Sequence, residues 1–385
     1  MASSNQTSCN NLSLQLFALY APETSSQNVA MGMDSVFKGF LALYYGTAGK
    51  TRDALNHLGF NDKYFIYPDG SSSTTTAISL LSRYGHVGEI RDHFRNYVRN
   101  LCSEHFLHTV ITPEDTSSQL MRTALAHNIN LKFSDMTDEK IDQMETSESV
   151  NLYDIGPVSM HVRSVFKGAW LTFFDREILS DVPFILPGSQ EKTEVQMMNN
   201  TRLTQALVSN MEQELDATIV KIPYRENSGY FIAIMPDQPS NKEELLALSS
   251  KIDLSKLLNS FYKVECNELQ MPKFTVETDL TLDEAGSGPG EGLGRIEDLK
   301  EFKSDTADYS NMFEGGFPDG KLISIRVKTT VDNHQTGTDV VSDFDLIAYD
   351  CHIENPRKIV LNKPMLYLIV SPNGYVKTLG TFVQP

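Results

Sequence analysis

Cys351 and His352 set a thiol beside an imidazole, the two groups that a thiolate nucleophile and its base require. Neighbours on an extended chain point to opposite faces, so adjacency works against proton sharing. The other cysteines, Cys9, Cys102 and Cys266, lie far apart and form no C-x-x-C pair. That argues against a zinc framework or a dense disulfide scaffold and leaves free thiols as the expectation. Cys351 differs because it falls in a long connection, where an exposed thiol can oxidise or cross-link. No H-E-x-x-H, phosphate loop or nucleophile elbow occurs. Gly286 to Gly294 is glycine-rich but holds Pro289 and Glu291, and a carboxylate is the wrong charge for a phosphate cradle. No catalytic residue, metal ligand or cofactor site is assigned, and the chain is not expected to be an enzyme.

The element that positions Cys351 and His352 is the stretch from Asp332 to Asn362. Before it runs Leu322–Val331, rich in β-branched residues; after it come Lys358–Leu361 and Met365–Val370. A connection this long in a compact domain is functional or disordered. Its composition is that of a half-buried strand. One parity reads Thr338, Val340, Ser342, Phe344, Leu346, Ala348; the other reads Asp339, Val341, Asp343, Asp345, Ile347, Tyr349 and holds all three acids. A surface connection patterned as a strand implies a chain that changes conformation.

A series of motifs runs along the whole sequence in order. Near the start stand Gly46–Thr51 and Leu58-Gly-Phe60. Then follow Val165-Phe-Lys-Gly-Ala-Trp170, Val195-Gln-Met-Met198, Ile222-Pro-Tyr224, Met271-Pro-Lys-Phe274, Leu293-Gly-Arg-Ile296 and Ala307-Asp-Tyr-Ser310. Asn362-Lys-Pro364, Leu379-Gly380 and Pro385 close the series. Together they resemble the serpins, a family of serine protease inhibitors. The resemblance implies one α+β domain over residues 1–385, with three β-sheets, about nine helices and an exposed reactive-centre loop over approximately 333–361. It also implies suicide inhibition of a serine protease. The protease cuts the loop, and the cut loop inserts into the main sheet of a metastable native form. About 14 residues at about 3.4 Å each make a strand of about 48 Å, long enough to cross such a sheet.

The burial pattern permits insertion. Thr338, Val340, Ser342, Phe344, Leu346 and Ala348 would face the core, leaving Asp339, Asp343 and Asp345 in water, whereas the opposite parity would bury three carboxylates at a cost of several kcal/mol each. Three departures from the family pattern bear on function. The hinge keeps Gly337 and Thr338, but Asp339, Val340, Val341 and Ser342 replace the usual run of alanines. Gln335 stands where a glutamate is usual. The polar cluster that gates the main sheet corresponds to Gly32, Val162 and Ile325, with only Ser35 retained, which reads as a gate repacked with apolar groups. Bulk in the hinge supports the alternative of a non-inhibitory serpin acting as a carrier, chaperone or partner-binding protein.

Three counts place the scissile bond differently. Taking Gly337 as the fifteenth residue before the cut puts it between Cys351 and His352. Matching Thr330-Val331-Asp332 gives Tyr349, and counting back from Asn362-Lys-Pro364 gives Ile353. Arg357 needs a still longer loop. Tyrosine suits a chymotrypsin-like protease, cysteine or isoleucine an elastase-like or cysteine protease, and arginine a trypsin-like one.

The 385 residues carry a net charge of −17, which opposes non-specific binding to nucleic acid or anionic membranes. Arg91, Arg95 and Arg99 fall on one helical face, where some serpins bind polyanions; with Glu89 and Asp92 nearby, a solvated helix face is the expectation. Asp69–Thr76 and Glu284–Gly292 read as surface loops rather than linkers, and hydrophobic residues make up 40%, enough for a large core. Leu12–Tyr20 is amphipathic, too short to span a bilayer, and reads as the first helix. With no signal-peptide pattern before it, a cytoplasmic monomer is expected by default, with non-classical export left open. Asn5, Asn11 and Asn199 lie in N-x-Ser/Thr triplets.

Overall fold

The computed structural model describes residues 4–57, 60, 74–152, 157–188, 192–201, 205–281, 306–315, 324–335, 337 and 357–385. Thr338–Ser342, Tyr349, Cys351, His352 and Ile353 therefore lie outside the described residues, as do Gly286–Gly294 and Leu293–Ile296.

Five strands make one sheet, in the order β11 (Phe274–Thr281), β12 (Ser324–Asn333), β4 (Val158–Phe166), β2 (Thr74–Arg83), β3 (Phe106–Ile111). Its two faces are covered by different helices. Along β12 the period of two is plain: Ile325, Val327, Thr329, Val331 and Asn333 are buried, while Arg326, Lys328, Thr330 and Asp332 are half-exposed. The buried face packs Ile325 and Val327, with Met160, Val162, Ile78 and Leu80, against Val36, Phe37, Phe40 and Leu43 of α2 (Met33–Gly46). On the opposite face α5 (Gln119–Met136) lays Ala126, Ile129 and Phe133 on Ala77, Leu81 and Ile111. The hydroxyl of Ser118 caps that helix by accepting from the Met121 N–H. β2 begins inside the stretch 69–76 that reads as a loop. Thr74, Thr75 and Thr76 are β-branched and pair with Phe166, Val165 and Ser164, so strand propensity extends into the polar run.

Ten strands form the second array. Its backbone order is β1 (Val29–Gly32), β15 (Val376–Phe382), β14 (Met365–Val370), β9 (Tyr230–Pro236), β8 (Ala217–Pro223), β7 (Gln205–Ser209), β10 (Phe261–Pro272), β6 (Lys192–Asn200), β5 (Asp175–Ile185), with β13 (Arg357–Val360) on β10. β10 serves two sheets. Phe261–Glu265 pair with β7, Leu269–Pro272 pair with β6, and the register shifts between Cys266 and Glu268. The three expected sheets are thus present, two of them joined through one bent strand.

β14 is buried along its whole length because both its faces are covered. Leu366, Leu368 and Val370 join the core beneath α1 (Ser4–Tyr20), whereas Met365, Tyr367 and Ile369 join a second core with Trp170, Phe231, Phe274 and Phe382. Completing the helices are α3 (Gly49–His57), α4 (Asp92–Leu101), α6 (Glu212–Leu215), α7 (Lys242–Ser249) and α8 (Leu254–Leu258), eight in all among the described residues. None of these helices is long and apolar enough to cross a membrane.

Candidate functional site

β4 and β12 run parallel, side by side, in the middle of the five-stranded sheet. Six residue pairs hold them, from Ser159 with Ser324 to Ser164 with Thr329. Beyond Thr329, β12 continues to Asn333, where its far edge still pairs with Phe274 of β11. The chain then turns. Gly337 bridges back to His334 and across to Ala169, just past the end of β4. The loop therefore leaves the sheet at the mouth of the seam between β4 and β12.

Only glycine fits this crossing. Gly337 has φ of +120°, and a Cβ there would lie 2.3 Å from the Gly168 carbonyl oxygen and 2.4 Å from the Ala169 Cα. The turn before it is held from below. Trp170, fully buried, donates its indole N–H to the His334 carbonyl at 2.9 Å, and the Phe174 N–H donates to the Gln335 carbonyl at 3.3 Å. Trp170 stacks on Tyr224 at 4.7 Å between centroids and meets Phe174 and Phe231 edge-on. Gln335, at the position where glutamate is usual, keeps a buried side-chain nitrogen without a hydrogen-bond partner.

The four gate residues sit where α2 meets the seam. A Cβ on Gly39 of α2 would lie 3.5 Å from Val162 and 3.6 Å from Ile325, so both side chains pack on the helix backbone. The Ser35 hydroxyl is buried with no hydrogen-bond partner. Gly32 donates its N–H to Thr329 Oγ1 at 2.8 Å, and a Cβ on Gly32 would come within 2.9 Å of that oxygen. Nearby, Thr76 joins Ser164 and receives the Lys38 ammonium, each at 2.8 Å. Polar bonding around the gate thus runs through Thr329, Thr76, Ser164 and Lys38, which sequence reasoning did not single out.

At the far end of the loop, Arg357 opens β13. Its guanidinium makes a forked pair with Glu212, at 3.0 and 2.9 Å, and those bonds raise its pKa above the ordinary arginine value. The latest of the alternative cut positions is therefore already tied into a strand.

A second polar group went unforeseen. Ser159 Oγ meets His161 Nε2 at 2.7 Å, His161 Nδ1 meets Glu145 Oε2 at 2.6 Å, and Ser149 donates to the same carboxylate oxygen at 2.6 Å. The order serine, imidazole, acid is that of a hydrolase triad. Ser159, His161 and Glu145 are 0%, 4% and 3% exposed, and the serine hydroxyl that would attack is closed to a substrate. The group instead ties the chain following α5 to β4. Beside it lies a cavity of about 280 Å³ whose lining includes Asn130, Glu145, His161, Arg163, Arg326 and Lys328.

The arginine series divides. Arg91 precedes α4 and gives its Nε–H to the Ser310 carbonyl at 2.7 Å; Arg95 pairs with Asp92 at 3.1 Å, and Arg99 approaches Glu104 at 3.9 Å. Each already faces a protein acceptor. Asn199 is buried in β6 and donates to Glu268, out of reach of a glycosylating enzyme in this fold, while Asn11 is exposed.

The family model for serpins, described as serine protease inhibitors, matches residues 7–385. The chain belongs to the serpin family. This serpin is 23% identical over 373 residues to serine proteinase inhibitor 2 of variola virus, covering 97% of this chain and 99% of that one. It is 26% identical over 212 residues to a serine protease inhibitor of Mus musculus, covering 55% of this chain and 45% of that one. Among solved structures, Serpin48 of the insect Tenebrio molitor superposes with a TM-score of 0.76 at 16% identity, covering 99% of this chain and 98% of that one. Thyroxine-binding globulin in complex with thyroxine gives 0.74 at 18%, covering 99% of each. Likeness at these identities carries the fold alone.

Proposed function

We propose that this serpin inhibits a serine protease by offering residues within 338–356 as a substrate, and that the cut loop enters the seam between β4 and β12. The observation that carries this reading is the crossing at Gly337. The chain emerges bridged to both sides of the seam, so a strand continuing from it needs no detour to begin pairing. Loop parity agrees, because the apolar set and the acidic set fall on opposite faces. Family descent and the names of the viral relatives support protease inhibition in general.

The test is incubation with chymotrypsin-like, elastase-like and trypsin-like serine proteases, followed by denaturing electrophoresis. Inhibition yields a covalent complex stable in detergent with one of them, and sequencing the released peptide identifies the bond. Turnover of the loop by every protease tried, with no such complex, overturns the reading. The second reading, a carrier or partner-binding serpin, is favoured by one feature, the bulk of Asp339, Val340 and Val341 in the hinge.

A further inference from the structure

We propose that the outward face of the β4–β12 seam is a docking surface for the chain's own acidic loop residues, Asp343 and Asp345 foremost, with Asp339 at its mouth. The inference rests on the reading that the cut loop enters this seam, and it concerns what receives the loop there.

The two bridges at Gly337 set a register. Gly337 pairs with His334 on the β12 side and with Ala169 on the β4 side, both antiparallel. Continuing without a bulge, each step forward along the loop is one step back along both strands. Asp343, six residues past Gly337, then lies opposite Lys328 and Arg163. Asp345, eight past it, lies opposite Arg326 and His161. The two sides agree independently, because Lys328 with Arg163, and Arg326 with His161, are already paired in the sheet. The same register sets Val340 between Val331 and Phe166, Phe344 between Val327 and Val162, and Leu346 between Ile325 and Met160. All six of those strand residues are buried. One register thus matches the apolar set to the core and two of the three acids, Asp343 and Asp345, to cations.

The cations suit the role. Arg163, Arg326 and Lys328 line the same cavity, half-exposed on the outward face. Arg163 donates to the Gln143 carbonyl, yet its Nε is buried with no hydrogen-bond partner. Lys328 pairs with Glu277 at 2.5 Å, leaving two of its three ammonium hydrogens for another acceptor. Competing carboxylates on this face are Glu277 and Asp279 on β11, Glu145 beside His161, and Asp142, whose charge acts on Arg163 together with that of Glu277. Asp339 is the weakest member. It falls between Lys167 and Asp332, and the like charge of Asp332, which accepts from the Thr275 hydroxyl at 2.8 Å, works against it. Opposite charges across neighbouring strands favour this pairing over slipped ones, so the ladder supplies the register that alanines in a hinge do not.

The experiment compares thermal unfolding of uncut and loop-nicked full-length protein for wild type, Asp343→Lys, Lys328→Asp and the double swap. A rise on nicking in wild type is the first requirement, and its absence removes the loop-entry reading itself. Given that rise, each single reversal is expected to shrink it by about 2 °C or more. The double swap is expected to recover most of the loss, and raising the salt from about 0.05 to about 0.5 M to narrow the differences. Single losses that simply add in the double variant, with the wild-type rise intact, overturn the docking surface and leave loop entry standing. Where a reversal fails to fold, Lys328→Met and Asp343→Asn are read the same way: coupling between them is expected, and additivity overturns the proposal.

Discussion

The indole N–H of Trp170 donates to the carbonyl of His334 at 2.9 Å, joining the aromatic cluster of one sheet to the foot of the loop on the other. The chain has a single tryptophan, and this bond gives it a function beyond filling space. Trp170→Phe keeps most of the apolar volume but removes the donor, leaving the carbonyl with the Gly337 N–H at 3.1 Å. A loss of about 0.5–1.5 kcal/mol is expected in denaturant unfolding of the uncut chain. Limited proteolysis of the hinge should quicken with it; an unchanged rate would separate the tryptophan from the loop.

Gly337 is the position least able to accept a side chain. Gly337→Ala must move either the Gly168–Ala169 backbone or the hinge itself. The expected cost is about 1–3 kcal/mol, read as a lower unfolding temperature of the uncut protein. Hydrogen exchange of the Ala169 and Trp170 amides should speed up in the same variant.

Glu145 holds both His161 and Ser149. Glu145→Gln preserves shape and can keep one oxygen before both donors, but it buries an amide NH2 where Glu145 Oε1 has no partner, and a destabilisation of about 1–3 kcal/mol is expected. Exchange protection should fall first around 141–150, the segment this carboxylate ties to β4. A uniform loss across the chain would mean that the group acts only through global stability.

His108 gives a pH dependence. Burial, with the Arg95 charge as a smaller contribution, pushes its imidazole down to about 4 from 6.5. Ser82 meets its Nε2 at 2.8 Å. The folded state thus keeps the ring neutral where the unfolded chain protonates it. Stability from this group is intact above pH 6.5 and declines as pH falls toward 4, by up to about 3 kcal/mol. His108→Gln should flatten that part of the stability profile between pH 7 and pH 4; an unaltered slope would assign it to other groups.

Much of the fold was legible because burial repeats with the period of the element. The alternation in β12 and the unbroken apolar run of β14 announce a sheet covered on both faces and a strand sunk between two cores. Gly337 could be picked out as a hinge from the motif, but not as a crossing held by Ala169, because that bridge spans residues remote in sequence. The Ser159–His161–Glu145 group was invisible for the same reason: a strand and the chain after α5 meet only once folded. Arg91 reads as part of a helical stripe yet stands before the helix and serves a backbone carbonyl, since spacing alone does not mark the first turn.

Whether the cut loop becomes a strand is measured most directly by thermal unfolding before and after a single cut within 338–356 by a protease that is not inhibited. Burying Val340, Phe344 and Leu346 contributes roughly 5–9 kcal/mol in the register set at Gly337. At about 2 °C per kcal/mol, the nicked chain should unfold about 10 °C or more above the intact one. A nicked chain that unfolds at the same temperature as the intact one, or below it, would contradict the account.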